Sequence, residues 1–306
     1  MTDSASDAVL MNVAFKQVHE LLPGRRLIDA AEIPNLTPQD RAAVRVMVVH
    51  GGRPLGGADM DAYPNLGRIV AVGAGFEGVD AAAAEARGVQ IVSSAGANAP
   101  DVADTAAGMV IALTRGFVAN DARVRAGDWK AGQFLPVRSL SALKVGIVGL
   151  GFIGQAIAER LAPFRCAIAY TGRRAKPEVA LPYAPSVLEL ARRSDVLVLA
   201  ALLDASTAGM VSAEVIDALG PKGFLVNVGR GGLVDEDALI AALKEGRLAG
   251  AGLDVFAEEP TPPARWDGVP NVLLSPHTAA VTYTALNAVY DVTARHVTDF
   301  LDAPRG

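Results

Sequence analysis

Arg230, Glu259 and His277 are the side chains of this sequence best suited to work together on a carbonyl and a carboxylate. Reduction of a ketone builds negative charge on its oxygen, and a protonated imidazole can quench that charge by general acid catalysis. A carboxylate beside the imidazole orients it and favours its charged form. A guanidinium can grip a substrate carboxylate through two parallel hydrogen bonds. Taken singly, each residue has a plainer explanation: a surface turn for Arg230 in Gly229-Arg230-Gly231-Gly232, a loop acid before Pro260, a satisfied strand-end histidine after Pro276. They are linked by what precedes them. Each stands just past an apolar run, Phe224–Val228, Gly252–Val255 or Val272–Ser275. In an open parallel sheet the carboxyl ends of the strands line the ligand crevice, so the three are expected to converge there.

A second cluster belongs to phosphate chemistry. The run Lys144–Val148 leads into Gly149-Leu150-Gly151-Phe152-Ile153-Gly154, followed by a helical pattern from Gln155 to Leu161. Strand, G-x-G-x-x-G and helix in that order predict a dinucleotide site. Gly149 makes the tight turn, Gly151 lets the backbone near a pyrophosphate and Gly154 permits close helix packing, while the helix start around Phe152 and Ile153 supplies N–H donors. An NAD site places an acid about 20 residues past these glycines, on the next strand. That strand ends Tyr170-Thr171-Gly172-Arg173-Arg174, without a carboxylate. Two adjacent guanidiniums attract a ribose 2′-phosphate. NADP(H) is therefore the preferred cofactor, with NAD(H) left open.

The elements that must position these residues follow from apolar periodicity. Val/Ile/Leu runs alternate with Ala-rich amphipathic stretches from about Arg45 onward, the pattern of a parallel α/β sheet. The first half offers strands at Val44–Val49, Arg68–Val72 and Val89–Val92. A second series runs through Lys144–Val148, Cys166–Tyr170, Asp195–Ala200, Gly223–Val228, Ala249–Val255 and Val272–Ser275, the strand count of a full dinucleotide-binding sheet. Between them, Pro100 opens a helical stretch with Val102, Ala106, Met109, Val110 and Leu113 on one face. The last helical pattern, Thr284–Leu301, is expected to return to the first half. The fold class is α/β with two Rossmann-like domains: a parallel-sheet nucleotide-binding domain over 98–282 and a smaller, flavodoxin-like substrate domain over 1–97 plus 283–306.

Bulk properties agree. At 306 residues, 51% hydrophobic and 20% charged, the chain reads as a two-domain globular enzyme. A net charge of −5 gives no electrostatic footprint for nucleic acid or an anionic membrane. The single cysteine, Cys166, rules out a disulfide scaffold and a Cys-based zinc site within one chain, and no metal is expected. Met1 to Asp7 carry no basic-then-apolar signal, and no apolar run is long enough to span a bilayer, so a cytoplasmic location is expected.

Three ordered motifs carry a resemblance over nearly the whole chain: Val226-Asn227-Val228-Gly229-Arg230-Gly231-Gly232-Leu233-Val234-Asp235, Gly252-Leu253-Asp254-Val255-Phe256 through Glu259-Pro260, and Ser275-Pro276-His277. In these the sequence resembles the D-isomer-specific 2-hydroxyacid dehydrogenases. The Arg-bearing second strand is similar to the glyoxylate/hydroxypyruvate and hydroxyphenylpyruvate reductase branch. The Val72–Phe76 turn and the Asn98–Asp104 crossover match the family's first domain. The resemblance implies that Arg230 holds the substrate and that Glu259 pairs with His277 as the acid/base. It also implies that Asp254 meets the nicotinamide carboxamide, that Ala74 and Gly75 bind the substrate carboxylate through backbone N–H groups, and that Thr105, Thr171 and Val228 touch the cofactor. A small 2-oxo or 2-hydroxy acid would be the substrate, and a homodimer the assembly. Residues 116–136 would form an exchanged arm, a plain core role for Trp129 and Phe134 being the other reading. Some proteins of this fold act as dinucleotide-responsive interaction modules, which is the alternative function. The sequence departs from the family's pattern at Ala201-Leu202-Leu203-Asp204, in place of a Pro-Leu-Thr-like turn, and at Thr278-Ala279-Ala280, in place of a glycine pair.

Overall fold

The computed structural model describes residues 7–12, 15–129 and 137–304. The chain divides into two compact units, Met1–Asn98 with Thr282–Gly306, and Ala99–Val281.

The first unit holds a five-stranded parallel sheet of β1 (Ala8–Met11), β2 (Arg26–Asp29), β3 (Val44–His50), β4 (Arg68–Val72) and β5 (Gln90–Ser93). Its order, β2-β1-β3-β4-β5, is that of flavodoxin-like sheets. Strand alternation divides the core: Met47, Val49, Ile69 and Ala71 face one layer, while Val46, Val48 and Val70 face Val289, Tyr290, Ala294 and Val297 of the helix Tyr283–Leu301. That helix thus completes the unit from the far end of the chain. Buried Ser94 ties it down, its hydroxyl 2.8 Å from that of Thr293.

Sequence patterning finds β3, β4 and β5 and misses β1 and β2. The reason is physical. β1 is four residues long, and its full burial comes from being flanked by β2 and β3, a long-range circumstance. β2 buries only Ile28, so its sequence shows no apolar run.

The second unit contains β6 (Lys144–Val148), β7 (Ala167–Thr171), β8 (Val196–Leu199), β9 (Phe224–Asn227), β10 (Gly250–Leu253) and β11 (Val272–Leu274). All pair in parallel, in the order β11-β10-β9-β8-β6-β7. The chain starts at β6, adds β7 on one side and then crosses to β8 on the other, which makes the β6/β8 boundary the switch point of the sheet. One face, with Val145, Ile147, Val198 and Val226, packs on the helices Ala99–Thr114 and Phe152–Leu161 through Ala103, Ala106, Val110, Ile157 and Leu161. The other carries Leu197, Leu199, Leu225 and Ala251 against Leu190, Ile216 and Leu239. The fully buried Val, Leu and Ile side chains among these each contribute about 1.5–3 kcal/mol.

The helix Phe117–Arg125 buries no residue, and Trp129 is 71% exposed, so Trp129 is not part of this chain's core. Phe134 lies outside the described residues.

Candidate active site

Arg230, Glu259 and His277 follow β9, β10 and β11, three consecutive strands of one parallel sheet, at their carboxyl ends. Glu259 and His277 meet: Nδ1 of the imidazole is 2.7 Å from Glu259 Oε2. The other carboxylate oxygen accepts the Phe256 N–H at 3.0 Å, so Glu259 is held against its own loop while it holds the ring. The ring is about half exposed, and no hydrogen bond to its Nε2 occurs among the described residues. His277 has φ +54°, an uncommon left-handed conformation for a residue with a side chain. The turn is held in place by Asp254, whose backbone oxygen accepts the His277 N–H at 2.8 Å.

Asp254 does more than this. Its carboxylate, 1% exposed, accepts the Ser275 hydroxyl, the Thr278 N–H at 2.9 Å and the Ala279 N–H at 3.0 Å. One buried acid therefore fixes both flanks of His277. The family resemblance places Asp254 at a nicotinamide; the structure places its carboxylate beneath the histidine turn.

Arg230 sits on an equally fixed loop. Asn227, 1% exposed, donates its amide to Arg230 O at 3.0 Å and accepts the Gly229 N–H at 3.0 Å. The guanidinium donates from Nη1 to Gly229 O at 2.8 Å. Next to it, a Cβ on Gly231 would lie 1.9 Å from the Phe256 carbonyl, so the loops after β9 and β10 touch backbone to backbone. Glu236, 7% exposed, strengthens that junction by accepting the Ala257 N–H at 3.0 Å and pairing with Arg265. Sequence reasoning missed Glu236. Its only signal was an acid in the first turn of a helix, which is ordinary surface chemistry there.

The glycine motif stands at the switch point. Gly149 adopts φ +90°, open to glycine alone without strain, and a Cβ on Gly154 would lie 2.0 Å from Gly149 O. The helix Phe152–Leu161 therefore starts directly against the strand end, its first intrahelical bond running from Gln155 N–H to Gly151 O. The N–H groups of Phe152, Ile153 and Gly154 are left as first-turn donors. Beyond them a cavity of about 520 Å³ spreads over the ends of β6, β7 and β8, lined by Gly149, Gly151, Thr171, Arg173, Arg174, Ser206 and Thr207 among others. Space is free for a pyrophosphate beside Gly151, because no atom lies within 4 Å of where its Cβ would be. Arg173, Arg174 and also Lys176, which the sequence reading did not single out, give the cavity three cations. These features fit the adenosine half of a dinucleotide.

The end of β7 carries no acid, as its sequence reads, but Asp204, on the loop after β8, reaches across and accepts from Arg173 Nη2 at 3.0 Å. A carboxylate from the end of β8, with β6 between it and β7, leaves no mark in the spacing that sequence reading searches.

Thr105 is half-buried on the helix Ala99–Thr114, its hydroxyl donating to Ala279 O at 3.4 Å, and Val228 is buried just past β9. In the first unit, Ala74 and Gly75 form the turn after β4. There Ser93 Oγ donates to Ala74 O at 3.3 Å, and the Gly51 backbone lies so close to Gly75 O that a Cβ on Gly51 would be 1.8 Å from it. Asn98 Oδ1 is the only buried side-chain polar atom without a hydrogen-bond partner among the described residues.

Comparison with known proteins adds the following. Residues 107–279 match the family described as D-isomer specific 2-hydroxyacid dehydrogenase, NAD binding domain. Glyoxylate/hydroxypyruvate reductase A of Arabidopsis thaliana is 42% identical over 255 residues, covering 82% of this chain and 80% of the relative. Hydroxyphenylpyruvate reductase of Plectranthus scutellarioides is 43% identical over 244 residues, covering 79% of this chain and 78% of the relative. Among solved structures, an NADPH-dependent glyoxylate/hydroxypyruvate reductase of Sinorhizobium meliloti, in complex with NADP and malonate, superposes with a TM-score of 0.85 at 35% identity, over 97% of this chain and 94% of that one.

Proposed function

The chain belongs to the D-isomer specific 2-hydroxyacid dehydrogenase family of oxidoreductases that act on CH–OH groups, and within it we propose an NADPH-dependent reductase of small 2-oxo acids such as glyoxylate or hydroxypyruvate, yielding D-2-hydroxy acids. The observation that carries this reading is the 2.7 Å contact between His277 Nδ1 and Glu259, at the same carboxyl edge of the parallel sheet that bears the phosphate-binding glycines after β6. With Nδ1 committed to the carboxylate, Nε2 is the nitrogen left to hand a proton to a substrate oxygen. Glu259 orients the ring throughout. Arg230 binds the substrate carboxylate and fixes which carbonyl face is presented.

A bound nicotinamide would supply the hydride. The chain's own residues supply the rest: N–H donors of the Phe152–Leu161 helix for the pyrophosphate, and Arg173, Arg174 and Lys176 for a 2′-phosphate. The Sinorhizobium meliloti reductase, with NADP bound, supports the cofactor preference. A second copy of the chain covering the helix Phe117–Arg125 and Trp129 is part of the same reading, because that helix buries nothing in one chain.

The test is an assay panel with NADPH and NADH, separately, against glyoxylate, hydroxypyruvate, pyruvate and phenylpyruvate. Faster oxidation of NADPH with a small 2-oxo acid is expected. Equal or better turnover with NADH overturns the cofactor preference, and no turnover with any of the acids overturns the substrate class.

A further inference from the structure

We propose that Asp204 supplies the carboxylate that β7 lacks, so that the Arg173–Asp204 pair sorts two dinucleotides: Arg173 takes a ribose 2′-phosphate and Asp204 takes a free ribose hydroxyl. The proposal rests on the reading above that this cavity holds the adenosine half of the cofactor.

Sheet order makes the pair available. β6 lies between β7 and β8, so the loops after β7 and β8 flank the Gly149–Gly154 turn from either side. Their tips meet where Arg173 Nη2 donates to Asp204 Oδ2 at 3.0 Å. The two partners are held differently. Asp204 is anchored: its Oδ1 accepts the Ser206 N–H at 2.8 Å and the Ser206 hydroxyl at 2.5 Å, and its own N–H donates to Thr207 Oγ1 at 2.8 Å. The Ser206 hydroxyl, then the Ser206 N–H, with Arg173 adding to them, hold the Asp204 carboxyl below the usual carboxylate range, so it is an anion at neutral pH. Arg173 is 75% exposed along its side chain and is the movable member.

An exposed ion pair of this kind exchanges readily. A guanidinium carries five N–H donors, and a phosphate monoester brings about 1.5–2 negative charges, so a 2′-phosphate can draw Arg173 from its single carboxylate bond. Arg174 and Lys176, on the same cavity wall, add to that attraction. Asp204 then remains as a nearby negative charge that weakens phosphate binding. When the ribose carries a hydroxyl instead, the fixed carboxylate becomes an acceptor for it, the role an acid at the end of the second strand plays in NAD sites. The loop that departs from the family's usual turn is thereby also the element that keeps NAD(H) acceptable.

Affinities of NADP⁺, NAD⁺, 2′,5′-ADP and AMP, measured by titration calorimetry on the parent protein, Asp204→Asn and Arg173→Ala, test this without reliance on turnover. The amide of Asp204→Asn can still accept from Ser206, so the loop is preserved. Loss of one charge near a phosphate is expected to tighten NADP⁺ and 2′,5′-ADP by about threefold to tenfold. NAD⁺ and AMP should weaken by a similar factor, and opposed shifts of this sort are not produced by general damage to the loop. Asp204→Asn moving both ligands in one direction, or neither, overturns the proposal. Arg173→Ala separates the two readings: it should raise the ratio of NADP⁺ to NAD⁺ dissociation constants at least about tenfold. A flat ratio in Arg173→Ala means that Arg173 does not bind the phosphate and the cofactor reading itself falls. A raised ratio together with a flat Asp204→Asn removes only the role of Asp204.

Discussion

The carboxyl ends of β9, β10 and β11 and those of β6, β7 and β8 share one sheet but are built in opposite ways. Around His277 the supporting groups are buried and saturated: Asp254 with three donors to its carboxylate, Asn227 clamped on the Arg230 loop, and Glu236 under the loop that bears Glu259. Around the adenosine cavity Arg173, Arg174 and Asp204 stand in solvent, Arg173 and Asp204 joined by one exchangeable ion pair. On the proposed function, the difference follows from what each end must do. Proton transfer loses rate steeply when the acid is misplaced, so its holder has to be rigid. Selecting a phosphate needs charge more than position, and an exposed guanidinium provides it.

Breaking the rigid end should therefore affect folding as well as chemistry. Asp254→Ala leaves a serine hydroxyl and two N–H groups without their buried acceptor, and a loss of about 3 kcal/mol is expected, read as a lower urea midpoint with an unchanged slope. Turnover should fall with it, because the histidine turn loses its clamp. Wild-type stability in this variant would show that the network around Asp254 is incidental. Glu236→Ala comes next, at about 2 kcal/mol, from the unsatisfied Ala257 N–H and the loss of one of the two carboxylates that hold Arg265, which keeps Asp237. At the exposed end, Lys176→Ala should leave the denaturation midpoint where it is and weaken NADP⁺ only a few-fold. A large stability loss there would erase the contrast between the two ends.

What the sequence made legible tracks this same contrast. Patterns local in the chain could be read: the glycine turn between β6 and its helix, the apolar runs of the second sheet, and Arg230, Glu259 and His277 each just past a strand. What escaped depends on distance in the chain. β1 owes its burial to two neighbours that follow it, and Asp204 reaches Arg173 from another strand end. Glu236 is buried only because the loop after β10 folds over it. Short strands and long-range polar contacts have no periodicity of their own, so spacing rules pass over them.

On the proposed function, His277, held by Glu259, delivers the proton while taking no part in docking the nucleotide. His277→Ala tests it directly, with NADPH-dependent reduction of glyoxylate and NADP⁺ affinity measured on the same preparation. Turnover should drop by about 10²–10⁴ with the dissociation constant within about twofold of the parent. Near-parent turnover, or a loss of affinity as large as the loss of rate, would contradict it.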